Sequence, residues 1–241
     1  RLDCCRVTIS NRMTSRHFDL VVIGGGPSGY ATALTAVAAD LSVALVERDR
    51  LGGTCLHRGC IPAKELLETA SVHRTVTQAD QFGIITATPT VDFSAAQDRK
   101  QAVVDRLFKG VTSLIESKNI DLFSGTGNLR SDRKVAVQLD DGTEQVLSGD
   151  SIVLAAGSQS KILPGFEIDG KTILASDDVL TMSELPASVA VIGGGAIGCE
   201  FASMLADLGT EVTILEADER LVPGADADIA KALQRSFKKR G

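Results

Sequence analysis

An α/β fold is predicted by two glycine-rich loops and by the pattern of the chain around each of them. The loops, at 24–29 and 193–198, both read G-x-G-x-x-G, and both follow a short apolar run. After each loop comes a stretch with helical spacing and then a second apolar run that ends in an acid, Glu47 or Glu216. This order of strand, loop, helix, strand and acid is the fingerprint of a dinucleotide-binding fold. We therefore predict two Rossmann-like domains of the three-layer α/β type.

The first fingerprint has glycine at each position where dinucleotide binding requires it. Gly24 allows the tight turn, Gly26 lets the backbone approach a pyrophosphate, and Gly29 lets the helix pack against the strand. The phosphates meet the helix N-terminus, and the acid accepts hydrogen bonds from ribose hydroxyls. In the second fingerprint, Glu216 favours a free 2′-hydroxyl over a 2′-phosphate, which predicts NAD. Arg220 leaves NADP as an alternative cofactor, because an arginine can bind a 2′-phosphate.

The other elements follow from apolar runs and turn signals. Predicted strands cover 18–23, 42–47, 120–123, 135–139, 144–147, 150–154, 189–192 and 211–216, and further helices cover 62–77, 94–118 and 226–240. A break at 125–127 ends the third strand, and Asp140-Asp141-Gly142 predicts a hairpin. Apolar residues at helical spacing in 94–118 are predicted to be core: Val103, Leu107, Val111, Leu114 and Ile115.

Three segments make up the predicted domain organisation. Residues 1–17 form a tail that we expect to be non-native or disordered, 18–165 form a first dinucleotide-binding domain, and 166–241 begin a second one. A Rossmann-type domain needs more strands than 166–241 supply. We therefore expect the chain to be a truncated, N-terminal fragment.

Composition excludes several classes of function. The chain has 241 residues, 44% of them hydrophobic, and a formal net charge of −6, which gives no reason to expect nucleic acid or an anionic membrane as a partner. No apolar run is long enough for a transmembrane helix, and no secretory signal is recognisable. Five cysteines are an odd number, and three of them lie outside the closely spaced pair Cys55 and Cys60, so a disulfide scaffold is not predicted. A reducing, cytoplasmic compartment fits best.

The stretch from Gly52 to Lys64 predicts a redox pair. Cys55 and Cys60 are five positions apart, and on a regular helix their Cα atoms would be roughly 8–9 Å apart, beyond the limit of about 7 Å for a disulfide. The pair can bridge only if the backbone leaves the helix between them, and Gly59 allows this. Pro62 suits the first turn of the next helix, which places Cys60 at a helix N-terminus where the dipole stabilises a thiolate. Such a thiol beside a second cysteine suits disulfide exchange.

Three other interpretations of this pair remain open. The cysteines could form a structural bridge or remain inert thiols. They could also ligate zinc together with His57, although no second pair of cysteines or histidines at the usual spacing supplies the other ligands. Redox chemistry is favoured over all three, and we predict no metal.

The stretch from Gly52 to Lys64 resembles the active-site signature of the flavoprotein disulfide reductases, the pyridine nucleotide-disulfide oxidoreductase family. The resemblance extends from Phe18 to the end of the chain. Leu56 and Ile61 resemble the dihydrolipoamide dehydrogenase branch, since glutathione and mercuric reductases commonly have Val there. His57 stands where the family usually has Asn, and we expect a packing or backbone contact rather than proton transfer.

The resemblance implies a role for each matching residue. Cys55 would be the interchange thiol that meets the substrate, and Cys60 the thiolate near the flavin. Lys64 and Glu200 match an ion pair beside the reactive flavin edge, where a lysine stabilises the charge of reduced flavin. The implied FAD contacts are Gly24, Gly26, Pro27, Ser28, Gly29, Glu47, Gly53, Thr54, Lys64, Gly127, Ala156, Gly157, Ser158 and Glu200. The implied NAD contacts are Gly193, Gly195, Ala196, Ile197, Gly198 and Glu216.

The implied activity is FAD-dependent oxidation of dihydrolipoamide by NAD⁺ through a redox-active disulfide. The implied partners are a lipoyl-bearing subunit of a 2-oxoacid dehydrogenase or glycine cleavage system, and a second copy that forms a homodimer through a C-terminal domain. The family's acid–base His–Glu pair lies in that domain, so we expect the 241 residues not to turn over alone. The alternatives are another disulfide reductase, for mycothione, glutathione or mercuric ion, and a truncated flavin-binding module without turnover.

Overall fold

A computed structural model describes residues 16–241, which divide into two compact units. The first unit comprises the described residues up to Gly53 together with Lys109–Ser158, and the second comprises Thr54–Phe108 together with Gln159–Gly241. Of the predicted tail at 1–17, residues 1–15 lie outside the described part. Arg16 and His17 belong to the first strand instead, where Arg16 pairs with Asp121 at 2.5 Å.

The described residues form both strands and helices, as predicted. The strands are β1 (Arg16–Ile23), β2 (Val43–Glu47), β3 (Asp121–Leu129), β4 (Lys134–Leu139), β5 (Glu144–Leu154), β6 (Ser188–Ile192) and β7 (Glu211–Leu215). The helices are α1 (Pro27–Val37), α2 (Gly53–Arg58), α3 (Cys60–Thr77), α4 (Phe93–Glu116), α5 (Ser176–Thr181), α6 (Ala196–Asp207) and α7 (Ala227–Lys238), with one 3₁₀ turn at Ala79–Phe82. No helix within 16–241 is both long enough and apolar enough to cross a bilayer.

The first unit is a closed ring of five strands. The first part of β3, then β2, β1 and the last part of β5 lie side by side in parallel. The second part of β3 and the first part of β5 pair antiparallel with β4, which closes the ring. Its core is apolar and comprises Phe18, Val21, Ile23, Ala44, Val46, Phe123, Val135, Val137 and Leu147. Because β1 and β2 are parallel neighbours, the first glycine loop and Glu47 lie at the same edge of the sheet.

Two strand predictions in this unit are wrong. The third strand does not end at 125–127 but continues to Leu129, because Gly125 and Gly127 allow close approach where the pairing changes from parallel to antiparallel. A Cβ on Gly125 would lie 2.2 Å from the carbonyl oxygen of Gln138. The strands predicted at 144–147 and 150–154 are one strand, β5, and its last part is not buried, since among the described residues it pairs only with β1.

The second unit contains the second fingerprint. β6 and β7 are parallel neighbours, and α6 connects them. α3 and α6 pack together on a buried apolar core of Ala63, Leu66, Ala70, Phe93, Ala96, Leu180, Phe201, Met204, Leu205 and Leu208. α7 begins after Asp226, whose side chain accepts a hydrogen bond from the amide of Asp228. The predicted α/β class is confirmed, whereas the predicted boundary at 165–166 stays a prediction.

Candidate functional site

The first glycine loop is held in place by the acid at the end of β2. Glu47 Oε2 accepts a hydrogen bond from the amide of Gly25 at 2.6 Å, and its Oε1 accepts one from the amide of Asp49 at 2.8 Å. The carbonyl of Gly25 in turn accepts from the amide of Gly52 at 2.8 Å. A carboxylate has about four acceptor positions, so two remain for ribose hydroxyls.

The N-terminus of α1 has the features of a phosphate site. Gly26 is the N-cap residue, it has no side-chain hydrogen bond to the helix, and Pro27 follows at the first position. The first amides of α1, from Ser28 onward, are therefore without a side-chain cap, which suits an anion. Gly26 and Gly53 face each other, and a Cβ on Gly53 would lie 2.9 Å from Gly26 Cα. Side chains at these glycines would fill the space that a pyrophosphate needs, so the residues present fit a dinucleotide.

The second glycine loop repeats the same hydrogen-bond pattern. The amide of Gly194 donates to Glu216 Oε2 at 2.6 Å, the amide of Asp218 donates to Oε1 at 2.9 Å, and the amide of Val222 donates to the carbonyl of Gly194 at 2.7 Å. The two amides, that of Asp218 first, lower the pKa of Glu216, which keeps it a carboxylate. Gly195 caps α6 without a side-chain hydrogen bond, and Ala196 and Ile197 form its first turn.

The third glycine of each fingerprint lies where the glycine loop contacts the helix that follows it. A Cβ on Gly29 would lie 1.7 Å from the carbonyl oxygen of Gly24, and a Cβ on Gly198 would lie 2.0 Å from that of Gly193. Sequence reasoning missed three further residues that hold the loops. Gly52 and Val222 act through backbone amides, which no side chain signals in the sequence. The thiol of Cys199 donates to the carbonyl of Gly194 at 3.3 Å and could have been noticed beside the second loop.

The helix breaks between the two cysteines, as the spacing predicts. α2 ends at Arg58, Gly59 adopts φ −152° and ψ −114°, and α3 starts at Cys60. The turn is tight, since a Cβ on Gly59 would lie 3.0 Å from the carbonyl oxygen of Thr54. No disulfide joins the two cysteines in this structure, and their thiols lie close enough to influence each other.

The thiols of this pair differ in environment. Burial, followed by the hydrogen bond to Cys60, raises the pKa of Cys55 to about 11, and the nearby charge of Lys64 opposes this rise. Cys55 therefore stays protonated at neutral pH unless a base acts on it. Cys60 is exposed and is the first residue of α3, where the helix dipole favours negative charge.

Lys64 and Glu200 form an ion pair between α3 and α6, with Nζ and Oε1 2.5 Å apart. Their side chains are 58% and 37% exposed, so the pair contributes little stability and leaves the lysine accessible. The structure thus brings four predicted site residues together in the second unit: Cys55, Cys60, Lys64 and Glu200.

The remaining predicted residues have varied positions. Gly127 lies in β3, and a Cβ there would come within 3.1–3.2 Å of Val46 and Ile23. Ala156, Gly157 and Ser158 lie in the exposed segment after β5. The ring of His57 packs edge-on against Phe108, with centroids 5.2 Å apart, so it makes the packing contact that we expected. Among residues 16–241, no group of three or more His, Cys, Asp or Glu side chains is placed to hold a metal ion.

Known proteins are similar in sequence to nearly the whole of this chain. Dihydrolipoyl dehydrogenase of Bacillus subtilis (strain 168) is 44% identical over 232 residues, which are 93% of this chain and 49% of that protein. Dihydrolipoyl dehydrogenase of Zymomonas mobilis is 40% identical over 225 residues, or 93% of this chain and 48% of that protein. The chain therefore spans about half the length of the curated relatives it matches.

Solved structures agree with the sequence comparison. LpdA from Mycobacterium tuberculosis superposes with a TM-score of 0.84 at 25% identity, covering 94% of this chain and 50% of that one. The HOCl-induced flavoprotein disulfide reductase RclA from Escherichia coli, solved as its Cu(II) complex, superposes with a TM-score of 0.78 at 31% identity, covering 94% of this chain and 48% of that one. The family model described as pyridine nucleotide-disulphide oxidoreductase matches residues 18–241. The chain belongs to the pyridine nucleotide-disulphide oxidoreductase family.

Proposed function

We propose that this chain supplies the redox pair and the two dinucleotide sites of a dihydrolipoyl dehydrogenase, which oxidises dihydrolipoamide with NAD⁺. The observation that carries the proposal is the Cys55–Cys60 dithiol, which spans the break at Gly59 and ends at the N-terminus of α3. The relatives at 40–44% identity that are named dihydrolipoyl dehydrogenase support the choice of substrate.

The proposed chemistry of the pair is disulfide exchange. With Cys55 and Cys60 joined in a disulfide, a substrate thiolate attacks the sulfur of Cys55 and releases Cys60 as a thiolate. The second substrate thiol then attacks the mixed disulfide and displaces Cys55, which takes up a proton. The substrate has become a disulfide, and its two electrons reside on the protein dithiol. Because the pKa of Cys55 is about 11, this thiol is a poor leaving group unless an acid protonates it as the bond breaks.

The first glycine loop would hold FAD, and the second would hold NAD⁺. Gly24, Gly26 and Gly29 would receive the FAD pyrophosphate at the start of α1, and Glu47 would bind its ribose. When bound, FAD supplies two-electron transfer between the dithiol and the nicotinamide. Lys64 would stabilise negative charge beside the flavin, and Glu200 would offset the cost of holding that lysine there.

The second loop supports NAD⁺ rather than NADP⁺. Glu216 is held as a carboxylate and repels a 2′-phosphate. The guanidinium of Arg220 donates to the carbonyls of Pro223 and Ala225, at 3.1 and 3.4 Å, so it is engaged within its own loop. This engagement of Arg220 within its own loop supports the proposal of NAD⁺ over NADP⁺.

The proposed partners are those of a dihydrolipoyl dehydrogenase: a lipoyl-bearing subunit of a 2-oxoacid dehydrogenase or glycine cleavage system, and a second copy in a homodimer. A reducing, cytoplasmic compartment suits a dithiol of this kind. A second candidate is disulfide reduction for another thiol or oxidant, and the likeness to RclA at 31% identity favours it.

Turnover by the whole protein with FAD tests the proposal. Dihydrolipoamide with NAD⁺ is expected to give NADH, whereas NADP⁺ supports at least tenfold lower kcat/KM. Cys55→Ser and Cys60→Ser are each expected to abolish turnover while flavin content and far-ultraviolet circular dichroism stay normal. Reduction of glutathione disulfide, mycothione disulfide or mercuric ion by a reduced nicotinamide, without dihydrolipoamide oxidation, would instead establish the second candidate.

A further inference from the structure

The redox helix α3 and the nucleotide helix α6 run in the same direction and are joined near both ends. Lys64 and Glu200 meet one turn from the N-terminus of each helix, at 2.5 Å. Towards the other end, Arg74 of α3 pairs with Asp207 of α6, and His73 Nδ1 lies 2.7 Å from the carbonyl oxygen of Asp207. The paired residues appear in the same order along both helices, so the two N-termini lie at the same end of the pair. Cys60 begins one helix, and the second glycine loop begins the other.

The two connections differ in strength. Lys64 and Glu200 are exposed, so their pair is screened by water. The side chain of Asp207 is only 9% exposed, and it accepts from two arginines: Arg74, and Arg240 at 2.6 Å. Arg240 also donates to the hydroxyl and the carbonyl of Ser203, at 2.9 and 3.0 Å. A buried carboxylate with several charge-assisted hydrogen bonds restricts movement far more than an exposed ion pair does.

Asp207 breaks a local rule of helix electrostatics. It is the last residue of α6, where the helix dipole is negative and a carboxylate is unfavourable. The helix dipole therefore does not account for an acid at this position, and the two arginines offset the repulsion between the dipole and the carboxylate of Asp207. This placement provides a polar contact with α3 in addition to the apolar core that the two helices share.

We propose that Asp207, together with Arg74, sets the axial register of α3 against α6 and so positions Cys60 and Lys64 relative to the second glycine loop. Packed helices can shift against each other by about 1–2 Å, as they do in shear motions. The Asp207 contact prevents such a shift from the far end, about 15 Å along α3 from Lys64 by helical rise. Asp207 and Arg74 are positioning residues and need touch neither substrate nor cofactor. The role in turnover rests on the proposed function, whereas the register itself does not.

Alkylation of the reduced thiols tests the register without any cofactor. In the dithiol form, the rate at which iodoacetamide modifies Cys60 is followed against pH by mass spectrometry of its peptide. Arg74→Met is expected to shift the midpoint of this profile, because Lys64 moves relative to Glu200 and to the thiols. Arg74→Lys retains the charge and is expected to restore most of the wild-type profile. Asp207→Asn is expected to shift the midpoint as Arg74→Met does.

Arg99→Met is the matched control. Arg99 pairs with Glu65 on α3 and so joins this helix to α4 rather than to α6. It is expected to leave the midpoint unchanged. Equal shifts in Arg99→Met and Arg74→Met, or no shift in either, would overturn the inference. Arg74 is partly exposed, so its variants are informative even if Asp207→Asn does not fold.

Turnover of the whole protein with FAD separates this inference from the proposed function. In Arg74→Met, kcat for NAD⁺ reduction is expected to fall about tenfold, because small displacements of reacting groups are costly, while the Kd for NAD⁺ stays within twofold. A wild-type protein that does not reduce NAD⁺ would refute the proposed function and leave the alkylation result to decide the register. A loss of NAD⁺ affinity as large as the loss of kcat would show a merely structural role and contradict the inference.

Discussion

In the first glycine loop, Gly29→Ala and Gly26→Ala should both lose bound flavin, but for different reasons. A Cβ on Gly29 would lie 1.7 Å from the carbonyl oxygen of Gly24, about half of an ordinary contact distance. Gly24 cannot yield easily, since its amide donates a hydrogen bond to the carbonyl of Val46 at 2.8 Å. We expect overpacking to cost more than about 3 kcal/mol. The better helix propensity of alanine returns about 1 kcal/mol, so Gly29→Ala should lose at least about 2 kcal/mol of unfolding free energy.

Gly26→Ala should keep the fold and lose the cofactor. Gly26 has φ −71° and ψ −175°, which alanine adopts without strain, and the nearest atom to its added Cβ is 3.9 Å away. The loss of stability should stay below about 1 kcal/mol, the usual difference between glycine and alanine at an N-cap. The added methyl group, however, occupies the space beside Gly53 where a pyrophosphate would approach.

Urea denaturation and flavin content distinguish the two variants. Unfolding is followed by far-ultraviolet circular dichroism, and bound FAD is measured per chain after gel filtration. Gly29→Ala should lose both stability and flavin, and Gly26→Ala only flavin. The reasoning is refuted if Gly26→Ala destabilises the protein as much as Gly29→Ala, or if it binds FAD with wild-type affinity.

Three further predictions concern stability in the second unit. Leu66→Ala removes a fully buried side chain of α3 and should cost about 2–5 kcal/mol in urea denaturation, whereas a cost below about 1 kcal/mol would place Leu66 outside the core. Burial lowers the pKa of Lys100, which donates to the carbonyl of Leu180, so the unfolded chain binds more protons there and the contribution of Lys100 to stability should rise as the pH rises towards 10.5. Lys100→Met should abolish this rise in an alkaline series, and an unchanged slope would contradict it. Amide hydrogen bonds lower the pKa of Glu216, so its stabilisation is present above pH 4.5 and lost as the pH falls through the folded pKa. Glu216→Gln should therefore flatten the acid side of the plot of urea midpoint against pH, and a plot identical to the wild type would argue against this role.

Local features of the site could be predicted because short segments determine them. The glycine loops, their acids and the break at Gly59 each depend on residues within one strand–helix–strand unit or one turn. The position of Cys60 at a helix N-terminus also follows from its neighbours, since Pro62 favours a helix start there. Such features require no knowledge of what packs against them.

Features that depend on distant contacts could not be predicted. Arg74 and Asp207 are separated by 133 positions, and nothing in either local sequence indicates their pairing. In α4, Leu107 and Leu114 were expected in the core from their spacing, yet they are 41% and 42% exposed, while Val104 is buried. The period of a helix is fixed by its geometry, whereas the face that becomes buried is decided by its neighbours.

The visible spectrum of the flavin-loaded whole protein after one equivalent of dithiothreitol tests the central claim most directly. We predict that the oxidised flavin spectrum gains a long-wavelength band from a Cys60 thiolate beside the flavin. Cys55→Ser should retain this band without added reductant, because Cys60 is then a permanent thiol, and Cys60→Ser should lack it under all conditions. A wild-type protein that binds FAD but develops no such band, or a band that persists in Cys60→Ser, would contradict the assignment of Cys55 and Cys60 as a redox pair that reduces flavin.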